Sequence, residues 1–137
     1  SAFLFAQLEN LDRIQKKRIT IWNRYYNKLK FLEDKYGVIL PVLPDYSTLN
    51  GHIFYLICNS FKERVLLMNF LNINEIHAVF HYLSLHSSAF YHEKHDQRTL
   101  DNAKKYSERL LRLPLFFDLT EKEVGRIIKC IIEFYER

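Results

Sequence analysis

The sequence predicts an α+β domain: a long N-terminal helix, then a small, mostly antiparallel sheet with helices packed on it. Residues 2–34 repeat apolar side chains at helical spacing without Pro or Gly. Later segments alternate β-rich runs with amphipathic ones, and two capping-box patterns mark helix starts. Such alternation is typical of a sheet covered by helices. We therefore expect a long inter-domain helix at 1–36 and a small domain at 37–137.

The opening helix is predicted from an apolar stripe that ends before Gly37, a typical helix-stop residue. The stripe consists of Leu4, Leu8, Leu11, Ile14, Ile21, Tyr25, Leu29 and Leu32. Residues 2–6 are apolar on every side, so we expect them to pack against structure that this chain does not contain and the chain to be a fragment. The surplus aromatics are candidates for that contact, or for a second subunit: Phe3, Phe5, Trp22, Tyr25 and Tyr26.

The small domain begins with a run, 52–58, that is apolar on both faces and so predicts a central strand. Ser60 with Glu63, and later Thr120 with Glu123, are predicted capping boxes that open two helices. Between them we expect a strand at 78–80, a polar loop at 87–98 and a helix from about 100 to 111. Pro114 favours an edge strand or the start of a strand at 113–117, and the isoleucine stripe of the last helix indicates core.

Side chains able to do chemistry cluster where the strand at 78–80 ends. His81, Tyr82 and His86 follow it in what should be a loop, and loops on a rigid scaffold are where binding residues concentrate. Imidazole and phenol groups donate and accept hydrogen bonds without the cost of burying a full charge. The pattern indicates one wall of a binding site. For His81 and Tyr82, a purely structural, half-buried role is the competing interpretation.

The other polar candidates have weaker interpretations. His52 is explained more simply as a structural residue at the start of a strand than as a binding residue. A solvated loop explains His92, His95 and Asp96 better than a metal site does. We therefore predict no metal site. Arg109 and Arg112 are expected to be surface or interface salt-bridge partners.

Composition excludes several classes of protein. A hydrophobic content of 48% with 26% charged residues is typical of a globular domain. The net charge of +4 is spread along the chain, whereas a nucleic-acid footprint needs a one-sided basic stripe. Cys58 and Cys130 both fall in apolar patterns and indicate core thiols of a reducing compartment. With no membrane-length apolar run and no signal-peptide pattern, we expect a cytoplasmic protein without membrane or nucleic-acid partners.

Four segments together resemble the C-terminal, small domain of the nucleotide-sugar aminotransferases that use pyridoxal phosphate (the DegT/DnrJ/EryC1/StrS family). The resemblance is closest to the TDP-4-keto-6-deoxyhexose transaminases, which make TDP-4-amino-4,6-dideoxygalactose for surface polysaccharides. It spans essentially the whole chain. The segments are Ala6–Asn10 with Arg13 and Ile14, Gly51–Tyr55, Ala78–His86, and Ser107–Phe116; Arg64 and Leu71 also stand in the matching order and spacing.

The resemblance implies a fold type I aminotransferase whose large domain holds pyridoxal phosphate on a lysine and whose small domain closes over the substrate. The family's cofactor residues lie upstream of everything that matches here. The lysines of this chain fall on polar faces, and Gly37, Gly51 and Gly125 are too far apart for a phosphate loop. We therefore expect this chain alone to bind no cofactor and to contain no catalytic residue. The implied partners are an N-terminal PLP-binding domain, a second subunit in a homodimer, and a nucleotide sugar, with glutamate as amino donor.

The family pattern His-Tyr-x-Pro-Leu-His maps residue by residue onto His81–His86, with Ser84 in the place of the usual proline. The resemblance thus implies that His81 and Tyr82 contact the substrate and that His86 contacts it or supports the turn, in a loop less rigid than that of relatives. The competing hypothesis is a stand-alone basic α+β module that binds protein or nucleic acid.

Overall fold

Helix α2 is the element on which the core is built, and its buried residues all come from its C-terminal half. The computed structural model describes all 137 residues. In chain order the elements are α1 (Ala2–Glu9), α2 (Leu11–Leu29), α3 (Phe31–Tyr36), β1 (Phe54–Ile57), α4 (Phe61–Ile73), β2 (Val79–Phe80), α5 (Asp101–Arg109), β3 (Leu110–Leu113) and α6 (Glu121–Tyr135), with short 3-10 turns at Leu85–Ser87 and His92–Lys94.

The single long helix predicted for 2–34 is three consecutive helices in the structure. At the first break, Asn10 has φ −105° and ψ 11°, and its side-chain amide donates to the Ala6 carbonyl at 3.1 Å. This bond competes with the helical backbone pattern. A second break occurs at Lys30, and Gly37 ends α3 in the left-handed conformation with φ 69°, the cap that the sequence predicts.

The three strands form an antiparallel sheet in the order β1-β3-β2. Phe54 pairs with Leu113, and Leu56 with Leu111; all four side chains are buried on the face that the helices cover. Arg112 lies opposite Tyr55 on β1 and Val79 on β2, on the other face. Helix α6 contacts both α2 and α4, and α5 contacts β1 and β2. This α+β arrangement confirms the predicted fold class.

Two strand predictions are wrong in detail. The central strand is β3, whereas β1 is extended on its other side only by an isolated bridge between Ile39 and Ile57. Strand β3 covers Leu110–Leu113 and ends before Pro114, so the expected extended segment at 113–117 begins three residues too late. The cause is local: Leu110 and Leu111 continue the apolar period of the preceding helix, although that helix ends at Arg109.

Two polar atoms tie α2 to the sheet. The Tyr25 hydroxyl donates to the Pro114 carbonyl at 2.9 Å, and the Trp22 indole N–H donates to the Ile53 carbonyl at 3.1 Å. Both side chains are buried in this chain's own core, so they are not part of the aromatic surface that was predicted to contact a missing domain or a second subunit. Phe3 and Phe5 remain exposed, as expected for that surface.

One predicted capping box is complete and the other is not. Thr120 Oγ1 accepts from the Glu123 amide at 3.2 Å, while Glu123 Oε2 accepts from the Thr120 amide at 2.8 Å. Ser60 accepts from the Glu63 amide, but the Glu63 carboxylate bonds to Asn59 and to the Tyr135 hydroxyl instead of reaching back to Ser60. No helix combines the length and apolar character needed to cross a bilayer.

Candidate functional site

The three residues predicted to bind substrate all line one cavity of about 380 Å³, between the loop after β2 and helix α5. Strand β2 ends at Phe80, and its position is fixed upstream by the buried Ile76 and Ala78. The strand itself is more exposed than predicted, with Phe80 43% accessible, because only two residues pair with β3. His81 and Tyr82 therefore leave the sheet edge directly into the cavity wall.

The loop that follows is shaped by local hydrogen bonds at Ser84, where the resembled family has proline. The Ser84 hydroxyl donates to the Ser87 hydroxyl at 3.0 Å, and the Ser87 amide donates to the Ser84 carbonyl at 3.0 Å. The resulting 3-10 turn places His86 in the cavity lining. The hydrogen bonds of Ser84 thus turn the chain at this position.

Aromatic and imidazole rings dominate the cavity. The His81 and Tyr82 ring centroids are 4.4 Å apart, and those of His86 and His95 are 5.4 Å apart. His95 lies with Nε2 3.1 Å from the Arg98 carbonyl and Nδ1 3.4 Å from Asp96. These contacts fix His95 within the loop, whereas Tyr82, 71% exposed, has no hydrogen-bond partner on its hydroxyl.

One contact joins the loop to the sheet: Arg112 Nη1 is 3.4 Å from His81 Nδ1. In this arrangement the guanidinium donates weakly and the imidazole nitrogen accepts. Neither Arg112 nor Arg109 forms an ion pair within this chain, so the salt bridges expected for them are not made here.

Helix α5 supplies the wall that sequence reasoning did not assign to the site. Ala103, Tyr106 and Leu110 face the cavity, and Tyr91 and Arg98 complete it from the loop. The signal was present, because Ala103 and Tyr106 share one side of a helix that buries no residue, and Leu110, the first residue of β3, continues their spacing. An amphipathic helix without buried residues has its apolar side free for another role.

The polar groups of the cavity are suited to binding a ligand. No aspartate or glutamate lines it, and its polar atoms come from hydroxyl, imidazole and guanidinium groups. Such groups hydrogen-bond sugar hydroxyls and anionic groups, and the rings offer stacking surfaces. No cluster of three metal-ligating side chains forms anywhere in the chain, and His92, His95 and Asp96 do not make one.

The residues of this chain do not fit a pyridoxal phosphate anchor. A Schiff-base lysine needs a desolvated setting that favours the neutral amine, and Arg64 is the only charged residue that is buried. Each lysine is exposed or half-buried. Gly37, Gly51 and Gly125 lie on separate elements and build no phosphate loop.

The comparisons with known proteins agree on one family. The model of the DegT/DnrJ/EryC1/StrS aminotransferase family matches residues 1–132. The structure is similar to Streptomyces venezuelae DesV, solved in complex with a ketimine intermediate, with TM-score 0.89 and 25% identity over 99% of this chain and 36% of that one. A DegT/DnrJ/EryC1/StrS aminotransferase from Brucella abortus gives TM-score 0.81 and 25% identity over 98% of this chain and 34% of that one.

At the level of fold alone, the chain is also similar to Helicobacter pylori PseC, an aminotransferase involved in pseudaminic acid biosynthesis. That match has TM-score 0.83 and 20% identity, and covers 96% of this chain and 35% of that one. The chain therefore spans about a third of the length of the solved proteins that it matches.

Proposed function

Because the chain belongs to the DegT/DnrJ/EryC1/StrS aminotransferase family, we propose that it is the C-terminal, substrate-facing domain of a PLP-dependent nucleotide-sugar aminotransferase. The reaction proposed for the whole enzyme moves an amino group from glutamate to a TDP-4-keto-6-deoxyhexose. Its product is the 4-amino sugar, used for surface polysaccharide or lipopolysaccharide biosynthesis in the cytoplasm. The stand-alone interaction module is the alternative that the tests below separate from it.

The observation that carries the proposal is the shared cavity of His81, Tyr82 and His86. In our proposal these side chains bind and orient the nucleotide sugar. The exposed Tyr82 hydroxyl and the His81 ring suit a polyhydroxylated, anionic ligand, which supplies both acceptors and apolar ring faces. The absence of carboxylates from the lining avoids repulsion of phosphate groups.

We place the cofactor outside this chain. No lysine of this chain is buried, so the amino-group transfer itself requires a domain that carries the reactive lysine. The chain's share in the reaction is to bind the sugar nucleotide, to fix its orientation and to exclude water when the domains close. On its own, the chain is expected to catalyse no transamination.

The proposed partner for the exposed helix α1 is that large domain. Phe3, Leu4 and Phe5 are 91%, 62% and 65% accessible, and no residue of α1 is buried. Contiguous apolar side chains of this kind are typical of a surface that another body covers. We further propose that the whole enzyme is a homodimer, which sedimentation equilibrium of the enzyme tests directly.

Steady-state kinetics of the whole enzyme test the substrate contacts. Tyr82→Phe and His86→Ala are each expected to raise KM for the nucleotide sugar about tenfold, the effect of one lost hydrogen bond to a charged group. Glutamate turnover in the half-reaction should not change. Tyr46→Phe is the matched control, because Tyr46 is 92% accessible and lies outside the cavity. Unchanged KM values in both cavity variants would refute the assignment.

A further inference from the structure

A second, smaller cavity of about 200 Å³ lies on the outer side of the sheet and is lined by His52, His77 and Arg112. Its other lining residues are aliphatic or proline, and none is acidic. Arg112, which lines this cavity, lies 3.4 Å from His81, which lines the larger one. None of the residues predicted to bind substrate lines it.

Arg112 is the electrostatic centre of this cavity. Its side chain is half-buried, yet no carboxylate pairs with it, and its only side-chain hydrogen bond is the 3.4 Å approach to His81. A partly desolvated cation without a counter-ion is costly unless an anion supplies the missing partner. The planar guanidinium matches the paired oxygens of a phosphate group.

The backbone holds the three cationic or titratable side chains in place. Arg112 lies between the buried Leu111 and Leu113, and His77 between the buried Ile76 and Ala78.

His52 is fixed by its loop: its amide donates to Asn50 Oδ1 at 3.0 Å, and Arg18 donates to the Gly51 carbonyl at 3.1 Å and to the His52 carbonyl. The three side chains therefore extend from a rigid frame, which lowers the ordering cost of binding a ligand.

We infer that this cavity is an anion-binding subsite that takes a phosphate or diphosphate group, with Arg112 as its principal ligand and His52 and His77 as flanking donors. Its volume is below the roughly 300–1,000 Å³ of small-molecule sites, so it suits one anionic group and not a whole nucleotide sugar. The inference stands apart from the proposed transamination, because it needs only residues of this chain. The anion is either free in solution or the phosphate of a larger ligand that also reaches the neighbouring cavity.

The test is a titration of the 137-residue chain with inorganic pyrophosphate at low ionic strength, followed by calorimetry and by backbone amide NMR. We expect saturable binding, with shift changes grouped at His52, His77 and Arg112. Arg112→Gln should weaken binding about tenfold or more. Arg24→Gln makes the same charge change on α2, where Arg24 pairs with Glu121 at 3.7 Å, and should leave binding unchanged.

The outcomes separate the possibilities. No saturable binding, shift changes scattered over the surface, or equal losses in the two variants would overturn the subsite, since each indicates non-specific attraction. The wild-type shift map decides the matter even if Arg112→Gln does not fold. Tighter binding of TDP than of pyrophosphate, with added shifts at His81 and Tyr82, would identify the phosphate of a nucleotide. Pyrophosphate binding without any gain from TDP would leave the subsite intact and count against the proposed substrate.

Discussion

At the residue scale, a buried thiol and a half-buried phenol make the fold sensitive to alkali. Cys58 Sγ lies 3.8 Å from the Tyr135 hydroxyl, which donates to Glu63 Oε1 at 2.9 Å. Burial raises the pKa of Cys58 to about 12 and also raises the pKa values of Tyr135 and Tyr25. The native state therefore keeps protons that the unfolded chain releases, and stability must fall as pH rises above about 9.

The expected loss of unfolding free energy can be given per pH unit. Between pH 9 and 12, Cys58 alone should remove about 1.4 kcal/mol of unfolding free energy per pH unit. Urea denaturation at a series of alkaline pH values measures it. Cys58→Ala should flatten the curve by that amount, whatever the substitution does to stability at neutral pH. An identical slope in the variant would show that the thiol titrates normally in the native state.

Of the three glycines, Gly51 is the one at which an added side chain would destabilise the fold most. Its φ is +58°, and an added Cβ would lie 3.0 Å from backbone atoms of Arg18 and Ile19. Gly51→Ala should cost about 2 kcal/mol or more, because left-handed strain adds to a backbone clash. In contrast, Gly125 lies in α6, where a Cβ meets only Arg24 Nη2 at 3.5 Å.

Thermal unfolding of the two alanine variants compares these positions. Gly51→Ala should lower Tm, whereas Gly125→Ala should raise it, since alanine stabilises a helix interior by about 0.5–1 kcal/mol over glycine. A Gly51→Ala variant as stable as the wild type would mean that the loop carrying His52 is not pinned against α2.

At the element scale, helix α1 is the least supported part of the fold. It has eight residues, none of them buried, and helices this short are marginal without tertiary contacts. In hydrogen exchange on this chain alone, amides of α1 should exchange almost as fast as unstructured ones, whereas those of the buried half of α2 should be strongly protected. Protection of α1 equal to that of α2 would contradict its assignment as a surface awaiting a partner.

The elements also show how far sequence patterns reach. Helix α6 was predictable in full, because its cap and isoleucine stripe are local signals that the structure keeps. Strand β3 was not, since its first residues continue a helical period and only pairing with β1 and β2 makes them a strand. Likewise, Glu63 bonds to Tyr135, a residue 72 positions away, which no local capping pattern reveals.

In the candidate site too, local sequence signals were predictable and contacts between distant segments were not. Histidine and tyrosine at a strand end indicated the loop wall, and the structure brings His81, Tyr82 and His86 to one cavity. The opposite wall from α5 and the subsite around Arg112 depend on how distant segments meet, which spacing along the chain does not encode. The resemblance to the aminotransferase family is confirmed, whereas the choice of substrate remains our proposal.

At the scale of the whole molecule, the chain has a core of its own, and none of its lysines is buried in that core. Twenty-two residues form one buried cluster that joins α2, the sheet, α4 and α6. Outside that cluster lie the apolar helix α1 and a cavity of binding side chains with no buried lysine beside it. We expect this arrangement for a domain that binds substrate while another domain carries the catalytic lysine.

The most direct test is amino transfer by the gene product that contains this chain, compared with the 137-residue chain alone. Our account predicts that the genomic sequence upstream of Ser1 encodes a lysine-bearing domain. The whole protein should then bind pyridoxal phosphate and convert a TDP-4-keto-6-deoxyhexose with glutamate, while the chain alone does neither. Cofactor binding and turnover by the isolated chain, or a gene that begins at Ser1, would contradict it.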